Sequence, residues 1–165
     1  NSTVSVAVYS QALLDAFIFA RDNGVVCVAA AGNKGITIDA ENNAPSIFDD
    51  DLLIVVGASD KTGSRIGYSN YGPQLDVIAP GGVSDSRNSN DHLVHTTAGG
   101  GTQSFKWFDG TSAAAPHVTG MVALLHAESF ERGYGWTEPE DYEGIVRASA
   151  WNAPTTTNSL PTSPD

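Results

Sequence analysis

Phe108-Asp-Gly-Thr-Ser-Ala-Ala-Ala-Pro-His-Val-Thr-Gly120 is the stretch on which the reading of this chain turns. A glycine turn opens onto a helix-forming run, and one serine stands at the junction. Gly110 lets the backbone turn tightly, and the alanines Ala113 to Ala115 keep that turn slim. Ser112 then falls among the unpaired N–H groups and the positive dipole end of a helix, where developing negative charge is stabilised. This is a setting for a nucleophile. Further along, Val118, Met121, Val122, Leu124 and Leu125 carry the helix toward Glu128, apolar enough to predict a central helix buried on most of its circumference.

Upstream, Val25-Val-Cys-Val-Ala-Ala-Ala-Gly-Asn-Lys-Gly35 is an apolar run that reads as a buried strand. It ends in a Gly-Asn-x-Gly turn that would push the Asn33 carboxamide out at the strand's C-terminal edge. Between the two lies Tyr68-Ser-Asn-Tyr-Gly-Pro-Gln-Leu-Asp-Val-Ile-Ala-Pro-Gly81, a turn feeding a strand that stops at Pro-Gly.

The segment Gly110 to Gly120 resembles, nearly residue for residue, the active-site serine motif of the subtilisin-like serine proteases, the subtilases. The other two blocks resemble subtilase segments and occur in the family's order, so the resemblance covers roughly residues 11 to 150. It implies an α/β fold, part of a three-layer subtilisin-like domain with a mostly parallel sheet flanked by helices, its N-terminal half missing. It implies Ser112 as nucleophile and Asn33 as side-chain donor of the oxyanion hole. It also implies that Ala29, Ala30, Ala31 and Gly32 form one wall of the S1 pocket, where small side chains leave room for a P1 residue. A fixed donor facing the oxyanion lowers the barrier by about 3 kcal/mol, a magnitude measured in subtilisin, a member of that family.

A serine nucleophile needs a general base within hydrogen-bond reach, itself oriented by a third group. In subtilases the aspartate motif (Asp-Ser/Thr-Gly) and the histidine motif (His-Gly-Thr-His) precede the oxyanion asparagine, whereas here 32 residues precede Asn33 and carry neither. The four histidines do not fill the gap. His117 lies five positions after Ser112 on the same predicted helix, so at about 100° per residue it points roughly 140° away. Its family counterpart is a structural residue of the serine helix. His126 is further along, and His92 and His95 fall in a polar loop where a solvated role is expected, a His-x-x-His spacing alone being weak evidence of a metal site.

The chain opens with Asn1-Ser-Thr, without an initiator methionine or a secretory apolar region. The expectation is therefore the C-terminal half of a subtilase catalytic domain, whose full-length parent hydrolyses peptide bonds and which is inactive alone. Its expected partners are polypeptide substrates and the missing N-terminal half. Two further readings stay open: a non-catalytic subtilase-like module that binds peptides or a partner, and one chain of a two-chain protease. An α/β-hydrolase esterase is disfavoured, because Ala114 replaces the second glycine of Gly-x-Ser-x-Gly.

Composition agrees with a globular domain: 165 residues, 41% apolar, and a net charge of −11 from 19 acidic and 8 basic residues. That charge argues against nucleic acid and anionic membrane surfaces as partners. No apolar run approaches the roughly 18 residues of a membrane helix. Cys27, the single cysteine, reads as a small buried hydrophobe. Family resemblance implies an extracellular or exported enzyme that needs no cofactor for catalysis. Many subtilases use structural calcium, and the polar stretches Thr37 to Asp51 and Gly82 to Thr102 are candidates, but neither has EF-hand spacing and no metal ligand is assigned.

Apolar positions at helical spacing, closed by Asp22-Asn-Gly24, predict a helix over Ser10 to Asp22. Strands are predicted over Asp51 to Ala58 and Leu75 to Ala79, their unbroken apolar runs suggesting parallel strands covered on both faces. Thr137-Glu-Pro-Glu140 reads as a capping box that opens a helix to Ala148. Residues 1–150 are assigned to the partial catalytic domain and 151–165 to a loosely ordered Pro/Thr/Ser-rich tail. A half domain exposes a sheet edge and apolar faces, so aggregation or partial unfolding is expected of it alone.

Overall fold

The computed structural model of the chain describes residues 11–38, 45–48, 52–83, 94–97, 105–133 and 138–150. Its elements in order are α1 (Gln11–Asp22), β1 (Val28–Ala30), β2 (Ile54–Ser59), β3 (Val77–Pro80), β4 (Val94–Thr97), β5 (Phe105–Phe108), α2 (Thr111–Glu131) and α3 (Pro139–Ser149). The predicted tail and most of both polar stretches lie outside the described residues.

β1, β2 and β3 form a parallel sheet in that order. Every residue of the central strand β2 is buried, as its unbroken apolar run predicts. Strand alternation divides those residues between two layers. Ile54, Val56 and Ala58 pack with Ala114, Val118 and Val122 of α2 and Tyr142 and Val146 of α3. Val55 packs with Ala29, Ala31, Ile38 and Phe48, and Leu14, Phe17 and Ile18 of α1 lie against that cluster. Helices thus cover both faces, giving the three layers expected, and the parallel strands end toward Asn33 and Gly81. An ionic tie secures α3: Arg147 lies 3.4 Å from Asp76 and 2.9 Å from Glu143, while Asp76 Oδ2 accepts from the Val55 N–H at 2.6 Å.

Several expectations need correction. β1 begins at Val28, since Val25 is half exposed and the ladder to β2 starts where Cys27 O accepts from Ile54 N–H. Cys27 therefore just precedes the strand, half-buried, with its thiol pKa raised by desolvation. The cap of α3 lies one residue later than predicted. Pro139 takes the first helical position, where its missing N–H is harmless, so Glu138 is the N-cap and the Asp141 carboxylate accepts from its N–H at 3.3 Å. The stretch Gly82 to Thr102 contains β4, which pairs antiparallel with β5 in a hairpin leading into the serine turn. His95 is consequently not a loop histidine: its ring stacks on Trp107 at 4.6 Å between centroids. Finally, α2 is buried along one side only, through Thr111, Ala113, Ala114, Val118 and Val122. Leu124 and Phe130 are each 74% exposed, because the sheet covers a single flank of this almost uniformly apolar helix.

Candidate active site

The serine turn is built by close backbone approach. Gly110 is the N-cap of α2 with φ 123°, a conformation that L-residues with side chains rarely adopt. Its N–H donates to Gly81 O at 2.8 Å and also reaches the Tyr68 hydroxyl at 3.1 Å. That hydroxyl in turn lies 2.6 Å from Gly82 O and 3.0 Å from Gly81 O. Burial raises the Tyr68 pKa, the Gly110 N–H opposes the shift and the Asp109 charge adds to it. Ser112 is exposed, in the first turn of α2, where its N–H has no intrahelical acceptor.

Asn33 lies against this turn. Its Oδ1 accepts from the Thr111 N–H at 2.8 Å and from the Thr111 hydroxyl at 2.9 Å, one residue before Ser112. The same hydroxyl accepts from the Gly32 N–H at 3.1 Å. Because an N–H can only be met by the amide oxygen, these contacts set the carboxamide's orientation and leave Nδ2 as the outward donor. Nδ2 lies 3.2 Å from the point a Gly110 Cβ would occupy, so a side chain there would crowd the donor. The arrangement presents a hydroxyl, a helix N-terminal N–H and a carboxamide N–H on neighbouring residues, a constellation suited to holding a tetrahedral anion.

The histidines are placed elsewhere. His117 Nδ1 bonds to Ala113 O at 2.8 Å, within its own helix, and His126 Nδ1 bonds to the Tyr142 hydroxyl at 2.8 Å. His95 belongs to the hairpin stack, and His92 lies outside the described residues. Among the described residues, no side chain hydrogen-bonds the Ser112 hydroxyl, and no three His, Cys, Asp or Glu residues gather as a metal cluster. Of the suggested S1 wall, Ala29 and Ala31 are buried in the layer beneath α1, while Ala30 and Gly32 are half-buried.

Three further groups at the site leave little residue-type signal in the sequence. Thr111 is wholly buried and joins the two motifs, yet its only signal was a hydroxyl at the first helical position. Tyr68 and Asn70 read simply as turn residues, and their partners, 42 and up to 39 positions away, leave no local trace.

A family model described as "Subtilase family" matches residues 2–162. Alkaline protease 1 of Aspergillus clavatus is 38% identical over 117 residues, covering 71% of this chain and 26% of that protein. Proteinase R of Parengyodontium album is 36% identical over 117 residues, again 71% of this chain and 26% of the relative. Among solved structures, a lanthipeptide protease superposes with a TM-score of 0.76 at 30% identity, over 85% of this chain and 47% of that one. The patellamide maturation protease PatA gives 0.73 at 27% identity, over 92% and 50%. The chain thus spans about a quarter of the curated relatives and half of the solved chains it matches.

Proposed function

Since the chain belongs to the subtilase family, its residues 2–162 matching that family's model, we propose that it is part of a serine endopeptidase and carries the nucleophile and oxyanion half of the site. The observation that carries this reading is the double hold of Thr111 on Asn33 Oδ1, which aims Nδ2 outward beside the serine turn. Ser112 Oγ attacks the carbonyl carbon of a polypeptide substrate. A histidine from a further stretch of polypeptide removes the hydroxyl proton and later returns it to the leaving amine. Asn33 Nδ2 and the Ser112 N–H receive the charge that appears on the carbonyl oxygen. An extracellular or exported setting accompanies this proposal on the family resemblance alone.

His95, His117 and His126 are each engaged away from Ser112, which supports the chain's being inert by itself. Its exposed apolar features favour a polypeptide complement: Leu124 and Phe130 on the outer side of α2 are uncovered, and β1 has a single strand neighbour among the described residues. We assign that complement as the N-terminal half of the domain, in the same chain or a separate one. The test is labelling by a fluorophosphonate probe. The full-length protein should react at Ser112 and lose labelling in Ser112→Ala, whereas residues 1–165 alone should stay unlabelled. Stoichiometric labelling of the isolated 165-residue chain would place the base within it. An unreactive full-length protein would favour the non-catalytic module.

A further inference from the structure

Asn70 is 1% exposed, and its polar atoms serve the loop that carries Asn33. Its Oδ1 accepts from the Lys34 N–H at 3.0 Å and the Ile36 N–H at 3.2 Å, and its Nδ2 donates to Ala31 O at 2.9 Å. Its own N–H donates to Gly32 O at 3.0 Å. These contacts bracket Asn33 on both sides.

We infer that Asn70 is a positioning residue for the oxyanion donor, fixing the backbone beneath Asn33 as Thr111 fixes its side-chain tip; this rests on the protease reading above. The loop needs such a hold. β1 ends at Ala30, and beyond it Gly32 (φ 100°) and Gly35 (φ 66°) occupy the most permissive region of backbone space. Backbone pairing reaches Ala31, whose N–H donates to Val56 O at 2.9 Å, and resumes at Gly35, whose N–H donates to Tyr68 O at 2.6 Å, so Asn33 lies in the gap between. One buried carboxamide supplies three bonds across this gap, and because Asn70 is itself shielded from water each of them constrains strongly. The placement also couples the two halves of the site. Two residues before Asn70, the Tyr68 hydroxyl meets the Gly110 N–H at the serine turn. The segment 68–70 therefore touches both the oxyanion loop and the nucleophile turn, and sets their separation.

The test is a double-mutant cycle on peptide hydrolysis by the full-length protein, using Asn70→Ala, Asn33→Ala and the pair, with Asn70→Ser as a milder variant. Asn70→Ala should lower kcat about tenfold and leave KM within about twofold, with Asn70→Ser in between. In the Asn33→Ala background the same change should cost less than about twofold in kcat, because no donor remains to be misplaced. An unchanged kcat in Asn70→Ala, or an equal loss in both backgrounds, overturns the inference. Amide hydrogen exchange over residues 31–38 judges the hold independently of activity. Exchange at Lys34 and Ile36 should quicken in Asn70→Ser, and unchanged protection there overturns the inference too. An unchanged kcat in Asn33→Ala removes the donor role of Asn33 and overturns the inference, whereas a parent protein that hydrolyses no peptide sinks the protease reading, and the exchange result alone then decides on the hold by Asn70.

Discussion

Replacing Thr111 with valine keeps the shape of a wholly buried side chain and removes its hydroxyl. Two bonds go with it, the 3.1 Å bond from the Gly32 N–H and the 2.9 Å bond to Asn33 Oδ1. A donor left facing a methyl group costs about 1–3 kcal/mol, which in a domain of about 150–250 residues lowers Tm by about 2–12 °C. Asn33 Oδ1 keeps the Thr111 N–H at 2.8 Å, so the carboxamide is loosened but not released. The kinetic loss is therefore bounded by the value of the whole donor, about 10²–10³ in kcat as established on subtilisin. One of two anchors gone predicts about tenfold, or about 1.4 kcal/mol of barrier. Thr111→Ser supplies the control. It loses a buried methyl, costing about 1 kcal/mol of stability, but retains both hydrogen bonds and should stay within about twofold of the parent kcat. The assay is steady-state peptide hydrolysis by the full-length protein, with thermal melts of each variant. Equal kcat in the valine and serine variants would refute the idea that the hydroxyl orients Asn33.

Other substitutions probe the scaffold. Gly81→Ala would set a Cβ 2.3 Å from Ala58 Cβ and 3.1 Å from Gly110 O, so chemical denaturation should register a loss of about 1–3 kcal/mol or more. Gly120 lies in α2, and a methyl group added there would meet nothing within 4 Å, so Gly120→Ala should stabilise the full-length protein by about 0.5–1 kcal/mol in thermal unfolding where that flank faces solvent. The same methyl should cost stability if a complement packs closely on that flank. The raised pKa of Tyr68 means the folded state holds its phenolic proton more tightly than the unfolded chain, whose value is near 10. Its contribution is complete below pH 10 and fades as pH climbs through the folded value, so Tyr68→Phe should flatten the alkaline limb of a stability profile. A limb as steep as the parent's would show that the Tyr68 proton is not linked to folding.

Sequence patterns exposed the parts of this fold whose signals are local. The unbroken run of β2 announced a strand covered on both faces, and Gly110 with Ser112 announced a helix mouth. The hairpin is not legible in the sequence, because Val94 to Thr97 are embedded in Ser, Asn, Asp and Gly, where turn composition outweighs a short strand. The apolar residues of α2 predict burial around most of the helix, but burial depends on neighbours, and the sheet covers one flank only. At the site, Ser112 and Asn33 are proposed from short motifs that resemble those of the subtilases. Thr111, Tyr68 and Asn70 cannot be named in this way, because each works through partners tens of positions away.

Asn33 is gripped by its oxygen and left open at its nitrogen. Turning the carboxamide over would confront two donors with a third, so its polarity is locked before any substrate arrives. The serine turn accordingly carries a standing preference for electron-rich oxygen, independent of the proton acceptor. Tetrahedral boronate inhibitors should therefore owe part of their grip to this half alone, and variants of the complement that lose turnover should still bind them.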